Sequence, residues 1–392
     1  MTRPIRILEL RSVRGTGGGP EKTILLGAAR TDPARFAVTV CYIRDQRDRV
    51  FSIDAVAAGL PVDYVELHER QSFDPSIWRT LRELVRRRDI DIVHAHEYKT
   101  DVLAWLLSKA ERVAPLSTAH GWTGHSSRER WLYYPLDKRL LAHFPKVVAV
   151  SSEIRRELVR HGASLDRIAT VPNGIDPASF RRDRSREKEI RRRLGLDADD
   201  IVVGAVGRLE PQKRFDLLID AIVRLLPTRP RLKLLIVGDG SLREPLGAQV
   251  ARLGLGAAVT LLGHRTDIVD LHHAFSLFVQ SSDYEGTSNA VLEAMALETP
   301  LVATDAGGTS DLIRHTVDGI VIPATDLDAL VNAIDSVCAD SRATAARAAS
   351  ARHRVETDLS FDTRMTTVEA IYTELFERQM AVKAAGAMPA HT

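Results

Sequence analysis

The chain has 392 residues, of which 44% are hydrophobic and 27% charged. At roughly 150 residues per domain this length predicts two domains, and the composition excludes a disordered, collagen-like or disulfide-built protein. The net charge is only +2, but Lys and Arg exceed Asp and Glu in residues 1–193, and the reverse holds after residue 193. A basic first half would attract an anionic acceptor, an acidic membrane surface or nucleic acid, or it serves solubility alone.

The cysteines and the first residues bear on the compartment. Cys41 and Cys338 each lie in an apolar run, which predicts packing in a reducing compartment rather than metal or redox chemistry. The first residues are rich in arginine and have no long apolar stretch, so we expect no signal peptide and no membrane-spanning helix. We therefore expect a cytoplasmic protein, either free or peripheral at the inner membrane face.

Short apolar runs alternate with helical stretches along most of the chain. The first series lies at residues 5–10, 36–43, 61–67, 91–96, 115–120 and 146–151, and the second at 201–207, 232–238, 258–263, 276–282, 300–305 and 319–323. Such alternation is typical of parallel β-sheets covered by helices on both faces. It predicts an α/β protein of two doubly wound domains, with ligands bound in a cleft at the carboxyl ends of the strands.

The break between the two series contains a proline and an Asn-Gly pair, followed by a strongly charged run at 181–193. Proline and Asn-Gly are turn signals, so an interdomain hinge is predicted near residues 172–185. The charged run is interpreted as a solvated connector and helix in preference to a phosphate site.

Two segments that follow predicted strands are suited to bind an anion. Glycines within 15–19, among them Gly18 and Gly19, precede an apolar helix and would let backbone amides approach a phosphate. Their spacing fits neither of the common nucleotide-binding loops, so a flexible turn is the alternative. Arg208 and Lys213 flank the start of another helix, where cations oppose the helix dipole unless an anion lies between them. Surface salt bridges are the alternative there.

A pair of acidic residues forms the clearest pattern. Glu285 precedes a glycine in a loop, and Glu293 lies in the run NAVLEAMAL, which is apolar nearly all round and is therefore predicted to be buried. No cation stands three or four positions from Glu293. A buried carboxylate needs hydrogen-bond donors, which sugar hydroxyls would supply. A structural glutamate paired with a distant arginine is the alternative.

Five motifs occur together along the chain. They are Gly-Gly-x-Glu at 18–21, Ala-His-Gly at 119–121, VPNGID at 171–176, Gly-Arg-Leu with a downstream lysine at 207–213, and Glu285 followed after seven residues by Glu293. In these motifs, and over roughly residues 5–378, the sequence resembles the retaining nucleotide-sugar glycosyltransferases of family 4, the glycosyl transferases group 1. The resemblance implies the GT-B fold, in which two Rossmann-like doubly wound domains face each other across a cleft.

The resemblance also implies roles for individual residues. Gly18 and Gly19 would offer backbone amides to the donor diphosphate, while Arg208 and Lys213 would neutralise it. Glu293 would bind the donor's ribose, and Glu285 would bind its sugar. His120 would reach the transferred sugar or the reaction centre. The catalytic residues implied are His120, Glu285, Arg208 and Lys213.

The domain boundary implied by the resemblance lies in the predicted hinge. Residues 1–175 would form an N-terminal acceptor-binding domain and residues 176–360 a C-terminal donor-binding domain. A helix at 361–380 would cross back to the N-terminal domain, and 381–392 would form a tail.

The function implied is transfer of a sugar from a UDP- or GDP-sugar to an acceptor hydroxyl, with retention, in polysaccharide, glycolipid or glycoconjugate biosynthesis. The acceptor is a sugar, a lipid-linked molecule or a small molecule, and no nucleic-acid partner is expected. No metal or other cofactor is expected, because Arg208 and Lys213 supply the positive charge. A nucleotide-sugar epimerase of GT-B fold and a non-catalytic glycosyltransferase-like partner subunit are the alternatives. Acceptor-dependent release of nucleoside diphosphate discriminates among the three.

Two further patterns suggest metal sites. His94 and His96 lie on one strand, where we expect the residues of His-Ala-His to alternate faces and one histidine to pack in the core. Their spacing with Glu97 makes no clear ligand triad, so no metal site is predicted there. Asp89 and Asp91 form a D-x-D pair, which binds metal in GT-A enzymes, but they stand at a helix-to-strand junction that favours a turn role.

Basic helices around 79–88 and 128–139 are candidates for contact with an anionic acceptor or a membrane. The second mixes aromatic residues with cations, as an interfacial helix does. Core packing by Trp131, Tyr133 and Leu136 is the alternative.

Overall fold

The structure is a computed structural model that describes residues 3–13, 19–48, 57–71, 74–122 and 128–386. Among these residues, no helix is both long and apolar enough to cross a bilayer.

The chain divides into two compact units. The first comprises Met1–Val171 together with Arg364–Thr392, and the second comprises Pro172–Thr363. The division after Val171 falls in the VPNGID motif, a few residues before the boundary that the sequence suggested.

The first unit is built on a parallel sheet. Its strands are β1 Ile5–Val13, β2 Phe36–Asp45, β3 Asp63–Glu69, β4 Ile92–Ala95, β5 Ala114–Ala119, β6 Lys146–Ala149 and β7 Ile168–Thr170, in the order β3-β2-β1-β4-β5-β6-β7. Its helices include α1 Gly19–Arg30, α2 Pro75–Arg87, α3 Tyr98–Ala110, α4 Tyr134–Leu141 and α5 Ser152–Arg160. Ile7, Leu8 and Leu10 are fully buried in β1, because a parallel sheet is covered on both faces.

The second unit repeats this plan. Its strands are β8 Ile201–Val206, β9 Leu232–Val237, β10 Val259–Gly263, β11 Leu277–Gln280, β12 Leu301–Thr304 and β13 Ile320–Ile322, in the order β10-β9-β8-β11-β12-β13. Its helices include α6 Glu187–Arg193, α7 Phe215–Leu225, α8 Arg243–Arg252, α9 Ile268–Ala274, α10 Asn289–Ala296, α11 Thr309–Leu312, α12 Leu327–Ala339 and α13 Ser341–Thr357.

The strand order of each sheet reverses direction at one point. In the first unit β1 pairs with both β2 and β4, and in the second β8 pairs with both β9 and β11. In open α/β sheets ligands bind outside the carboxyl ends of the strands at such a point. The segments that follow β1, β4, β8 and β11 are therefore where ligand-binding residues are expected.

The predicted α/β architecture is confirmed, and each of the twelve predicted strands is present. The sequence missed β7, which has only three residues and no extended apolar run to mark it. The last helix, α14 Phe361–Gly386, is longer than predicted and extends into the expected tail. Alanine has the highest helix propensity, so the alanine-rich residues after 380 continue the helix.

Candidate active site

The ends of β8 and β9 lie close together at the reversal point of the second sheet. A Cβ at Gly238 would lie 1.8 Å from the carbonyl oxygen of Gly207, and Gly238 has a φ of 142°. Only glycine fits this position without strain. The close approach positions residues 207–213, which follow β8 and contain the predicted anion-binding cations.

Lys213 and Glu285 form an ion pair between the segments that follow β8 and β11. Nζ of Lys213 lies 2.5 Å from Oε1 of Glu285, and Ser282 donates its hydroxyl to the same oxygen at 2.7 Å. The Glu285 side chain is buried. The structure thus joins two residues that the sequence suggested as separate donor ligands, and the charge of Lys213 is matched by Glu285.

Arg208 directly follows the same strand but is placed differently. Its side chain is exposed and forms no hydrogen bond or ion pair with any residue that the structure describes. Its backbone carbonyl accepts a hydrogen bond from the amide of Glu210 at 2.8 Å. The neighbouring Arg214 instead forms ion pairs with Asp216 and Asp283, each at 3.2 Å. The Arg208 guanidinium is therefore available to an anionic ligand.

Glu293 lies on α10, whose first turn is capped by the Ser288 hydroxyl. The sequence predicted that the whole helix is buried, and this was wrong for the side that carries Glu293. Val291, Leu292 and Met295 are buried, whereas Glu293 is only partly buried. The run NAVLEAMAL is apolar in composition, but one side of α10 is left uncovered by the second unit. A partly exposed carboxylate is accessible to a ligand.

Asn173 is a site residue to which the sequence analysis gave no role, although it stands in the VPNGID motif. Its buried side chain donates to the carbonyl oxygen of Thr287 at 3.3 Å and to the side-chain oxygen of Asn289 at 3.2 Å. Asn173 therefore holds the loop between Glu285 and α10. No local pattern signals this role, because the bonded residues are more than 100 positions apart.

Of the two predicted phosphate-binding glycines of the first unit, the structure describes one. Gly18 lies outside the described residues, and Gly19 is the first residue of α1. Glu21 of the same motif is buried and accepts a hydrogen bond from Arg11 at 2.5 Å. The glutamate of this motif thus anchors the helix start to β1.

His120 directly follows β5 and is partly exposed. Its Nε2 lies 3.2 Å from Nδ1 of His96, and the two rings stack with centroids 5.5 Å apart. Burial of most of the ring lowers the pKa of His120 well below its ordinary value, and the neighbouring charges of Arg11 and Arg364 act in the same direction. His120 is therefore neutral at physiological pH.

The expectation that the residues of His-Ala-His alternate faces with only one histidine packed was wrong. His94 and His96 are both buried, with ring centroids 4.4 Å apart. Residues two apart on a strand point to the same face, so both rings face the same neighbours. Those neighbours include Glu9 of β1, whose Oε2 lies 2.5 Å from Nε2 of His96.

The last helix completes this cluster. The hydroxyl of Tyr372 in α14 donates to Oε1 of Glu9 at 2.6 Å and lies 2.8 Å from Nδ1 of His94. Nε2 of His94 lies 2.7 Å from the Thr118 hydroxyl. Burial raises the pKa of Glu9, but the two histidines outweigh it and hold that pKa well below its usual value. Burial lowers the pKa of His96 to about 4.

The ligand atoms of Glu9, His94 and His96 lie within 4.8 Å of one another, a spacing that suits a metal ion. The sequence had considered Glu97 as the third ligand of such a set. Glu97 instead caps α3 by accepting from the backbone amides of Lys99 and Thr100, each at 3.2 Å. The carboxylate beside the histidines therefore comes from the neighbouring strand.

Both aspartates of the D-x-D pair are bonded to arginines of the first unit. Asp91 is buried and accepts two hydrogen bonds from Arg3, at 2.7 and 2.8 Å, and one from the backbone amide of Arg6 at 3.0 Å. Asp89 has a φ of 49° and pairs with Arg6 at 2.8 Å. These contacts agree with the turn role.

The two basic segments differ in what they expose. On α2, Arg82 and Arg86 are paired with Glu111, at 2.5 and 2.8 Å. In the second segment the core-packing alternative was wrong for two residues, because Trp131 is 83% and Leu136 54% exposed.

The aromatic side chains of this second segment are split between two environments. Tyr133 is partly buried and stacks on Tyr98, with ring centroids 5.5 Å apart. One π-helical turn at Glu129–Tyr133 precedes α4, and Leu132 in this turn is 52% exposed. Apolar side chains thus project into solvent between Arg128 and Arg139, which are exposed as well.

The chain matches the family model described as Glycosyltransferase Family 4 over residues 17–179 and that described as Glycosyl transferases group 1 over residues 186–354. The putative glycosyltransferase EpsD of Bacillus subtilis is 31% identical over 281 residues, which cover 68% of this chain and 73% of EpsD. The lipopolysaccharide core biosynthesis mannosyltransferase LpsB of Rhizobium meliloti is 32% identical over 250 residues, which cover 61% of this chain and 68% of LpsB. The crystal structure of Anabaena HepE in complex with UDP superimposes with a TM-score of 0.83 at 23% identity, covering 94% of this chain and 100% of HepE. The chain is thus a glycosyltransferase of GT-B fold that belongs to family 4, the glycosyl transferases group 1.

Proposed function

We propose that the protein is a retaining glycosyltransferase that moves a sugar from a nucleoside diphosphate sugar to an acceptor hydroxyl without a metal ion. The observation that carries the proposal is the arrangement at the β8–β11 reversal point. There the exposed Arg208 guanidinium, the Lys213–Glu285 pair and the partly exposed Glu293 belong to segments that follow the two neighbouring strands. Cations for a diphosphate and carboxylates for sugar hydroxyls are the groups that such a donor needs.

In the proposed reaction the acceptor oxygen forms a bond to the anomeric carbon as the bond from that carbon to the diphosphate breaks. The departing phosphate oxygen takes the acceptor's proton on the same face of the sugar, so the anomeric configuration is retained. Arg208 and Lys213 stabilise the charge that develops on the diphosphate, a preorganised electrostatic effect. His120 and Glu285 contact the transferred sugar, and Glu293 holds the ribose.

The similar proteins bear on the donor. HepE was crystallised with UDP, whereas LpsB is described as a mannosyltransferase, so relatives differ in the sugar that they handle. We propose a UDP- or GDP-sugar donor and an acceptor in polysaccharide, glycolipid or glycoconjugate synthesis, bound by the first unit. A thermal-shift screen of nucleoside diphosphate sugars selects the donor, because a ligand at 100 times its dissociation constant stabilises the folded state by about 2.7 kcal/mol.

The proposal is tested by turnover with the selected donor and a panel of acceptors, in the presence of excess EDTA. We expect acceptor-dependent release of nucleoside diphosphate and, by NMR of the product, an anomeric configuration equal to that of the donor. Inversion would contradict the retaining mechanism. Loss of turnover in EDTA with recovery in manganese would contradict metal independence. Release of a free epimerised sugar without any acceptor would favour the epimerase alternative.

We also propose that the chain contacts acidic membrane surfaces through residues 128–141. The observation in favour is that Trp131, Leu132 and Leu136 project into solvent beside exposed arginines. Burial of aromatic and leucine side chains at the headgroup boundary, with arginines near anionic lipid, is how interfacial helices bind. The α2 segment is a weaker candidate, because Arg82 and Arg86 are already paired.

Sedimentation with liposomes tests this contact. We expect binding to vesicles that contain acidic lipid, weaker binding to neutral vesicles, and a loss of at least tenfold in binding for Trp131→Ser with Leu132→Ser. Val159→Ser with Leu165→Ser serves as the matched control, because both side chains are exposed and lie outside the segment. Equal and negligible binding to both kinds of vesicle would reject the membrane contact.

A further inference from the structure

The buried polar cluster of the first unit allows one consistent arrangement of protons. A carboxylate only accepts hydrogen bonds, and a neutral histidine has one donor and one acceptor nitrogen. Glu9 is buried beside Nε2 of His96, at 2.5 Å, and beside the Tyr372 hydroxyl, at 2.6 Å. Both of these groups must therefore donate to Glu9. The proton of His96 is on Nε2, which leaves its Nδ1 without a proton.

The bare Nδ1 of His96 is the atom that faces His120. It lies 3.2 Å from Nε2 of His120, so this second histidine must be the donor. The proton of His120 is consequently on Nε2 as well, and its Nδ1 is left as an acceptor. Among the residues that the structure describes, none forms a hydrogen bond with that Nδ1. His120 is partly exposed, so its free acceptor nitrogen is accessible to a ligand.

We propose that Glu9 and His96 are positioning residues that hold His120 in the tautomer protonated on Nε2, so that Nδ1 accepts a hydrogen bond from a hydroxyl of the substrate. The inference rests on the proposed function only for the nature of that ligand. The tautomer itself follows from the hydrogen-bond chain. The neutral state of His96, whose pKa burial lowers to about 4, agrees with a single proton on its ring.

At the other end of this series of hydrogen bonds, the partners come from the last helix and from β5. The Tyr372 hydroxyl, having donated to Glu9, accepts from Nδ1 of His94 at 2.8 Å. Nε2 of His94 then accepts from the Thr118 hydroxyl at 2.7 Å. Every nitrogen of the two buried histidines has at least one partner of the correct kind, and Nδ1 of His94 also lies 3.2 Å from Oε1 of Glu9. Helix α14 thus orients the carboxylate that orients His120.

A metal ion in the same cluster is the competing interpretation, because Glu9, His94 and His96 have suitable spacing. A metal on His96 would occupy Nε2 or Nδ1 and break one of the two hydrogen bonds that link Glu9 to His120. The two interpretations therefore predict different protonation of His120. The geometry points to the hydrogen-bonded chain, because each of these ring nitrogens already lies within hydrogen-bond distance of a partner.

The experiment is NMR of the full chain labelled with 15N in histidine, with the His120 resonances assigned by their loss in His120→Gln. We expect two-bond couplings that show His120 and His96 each protonated on Nε2 and bare on Nδ1. A His120 proton on Nδ1 in the wild-type protein would overturn the proposal. Stoichiometric metal in the purified protein that is lost in His94→Gln would overturn it as well.

The variant Glu9→Gln tests whether Glu9 sets the tautomer of His120. Two donors face Oε1 of Glu9, the Tyr372 hydroxyl and Nδ1 of His94, so the glutamine oxygen takes that position and its NH2 group faces His96. His96 must then accept on Nε2 and donate from Nδ1, and His120 must move its proton to Nδ1. We expect this inverted pattern in Glu9→Gln and the wild-type pattern in Tyr372→Phe. Tyr372→Phe removes a hydrogen bond to the same carboxylate but leaves the link to His96 intact.

Kinetic measurements distinguish a positioning role of Glu9 from a general loss of stability. At equal folded fraction we expect kcat/KM of Glu9→Gln to fall about tenfold, since one acceptor toward the substrate becomes a donor. An unchanged His120 tautomer in Glu9→Gln would overturn the proposal, because a structural role alone lowers stability without moving the proton. If the wild-type protein transfers no sugar from any donor, the proposed function fails while the tautomer assignment is still decided by NMR.

Discussion

At the scale of single residues, Arg208 and Lys213 carry the same charge in different settings. The Arg208 side chain is exposed and bonds no side chain or backbone group that the structure describes, whereas the Lys213 side chain is bonded to a buried carboxylate. An exposed arginine contributes little to folding, and its removal therefore reports on ligand binding and catalysis alone.

The first prediction is that Arg208→Ala lowers the rate of transfer about 30- to 1,000-fold, equivalent to about 2 to 4 kcal/mol of transition-state stabilisation. The physical reason is the loss of a charge-assisted contact with the leaving diphosphate. Steady-state kinetics with saturating donor measures the effect, and the melting temperature should stay within a degree or two of the wild type. Wild-type activity in Arg208→Ala would remove this residue from the site.

Lys213 leads to a different expectation. Lys213→Met takes away the cation and leaves the buried Glu285 carboxylate with the Ser282 hydroxyl. Removing one partner of a buried ion pair costs about 3 to 5 kcal/mol of unfolding free energy. We expect a reduced urea midpoint together with lost activity. The double variant Lys213→Met with Glu285→Gln should regain much of the stability but not the activity. Equal stability of Lys213→Met and the wild type would contradict the importance of the ion pair.

The third prediction concerns Glu293, whose partial exposure makes substitution tolerable. Glu293→Gln keeps the volume but loses charge-assisted hydrogen bonds to the donor ribose, worth roughly 1.5 to 3 kcal/mol. Calorimetry should show donor affinity reduced about tenfold or more, with unfolding unchanged. Unaltered affinity for the preferred nucleotide would mean that Glu293 is structural.

At the scale of elements, the loop between β11 and α10 depends on a residue from the interdomain segment. Asn173 bonds a carbonyl and a side chain of that loop, and a Cβ at the neighbouring Gly174 would lie only 2.7 Å from the carbonyl oxygen of Ser360. Two residues of the VPNGID motif thus make close contacts within the second unit, one with the loop and one with Ser360. Its asparagine fixes the loop, and its glycine permits the close approach.

We therefore predict that Asn173→Ala destabilises the second unit by about 1 to 3 kcal/mol and weakens donor binding, because two buried hydrogen bonds to the loop are lost. Asn289→Ala removes one of those bonds and should show a smaller effect on stability. Urea unfolding and donor titration of both variants measure this. A larger loss in Asn289→Ala than in Asn173→Ala would contradict the assignment.

At the scale of the whole molecule, buried neutral histidines make stability depend on pH. Burial lowers the pKa of His96 to about 4 and that of His272, which faces Thr299, to about 3. Below pH 6.5 the unfolded chain binds these protons while the folded chain does not, so stability falls as the pH drops from 6.5 toward 4. Burial likewise lowers the pKa of His120 and of His273, which adds to this effect. Burial raises the pKa of Asp137 to about 6 and that of Asp101 well above its ordinary value, and these two carboxyl groups act in the opposite direction.

The fifth prediction is that lowering the pH from 6.5 to 5 destabilises the second unit by about 2 kcal/mol through His272, at about 1.4 kcal/mol per pH unit. Urea midpoints at the two pH values measure the loss, and His272→Leu should reduce it by that amount. Because His272 is buried, leucine is the substitution chosen: it fills a similar volume and has no titratable group. The same pH dependence in the variant and the wild type would contradict the assignment.

The sequence by itself determined the architecture and singled out the candidate donor-site residues. Buried parallel strands are continuous apolar runs, so the sheet strands could be located by composition alone, except for the three-residue β7. Arg208, Lys213 and Glu285 could be singled out because each lies between the end of a strand and the start of the next α-helix, where ligand sites in such sheets lie. Local signals sufficed because these features depend on residues that are adjacent in the chain.

Only the tertiary structure decided which of these residues act together. Glu9 and Tyr372 are 363 positions apart and bond through α14, and His96 meets His120 through the pairing of β4 with β5. The exposed side of α10 around Glu293 likewise depends on what the rest of the unit leaves uncovered. Hydrogen bonds between distant residues and the covering of a helix face are set by packing of the whole unit, which no local pattern of residues records.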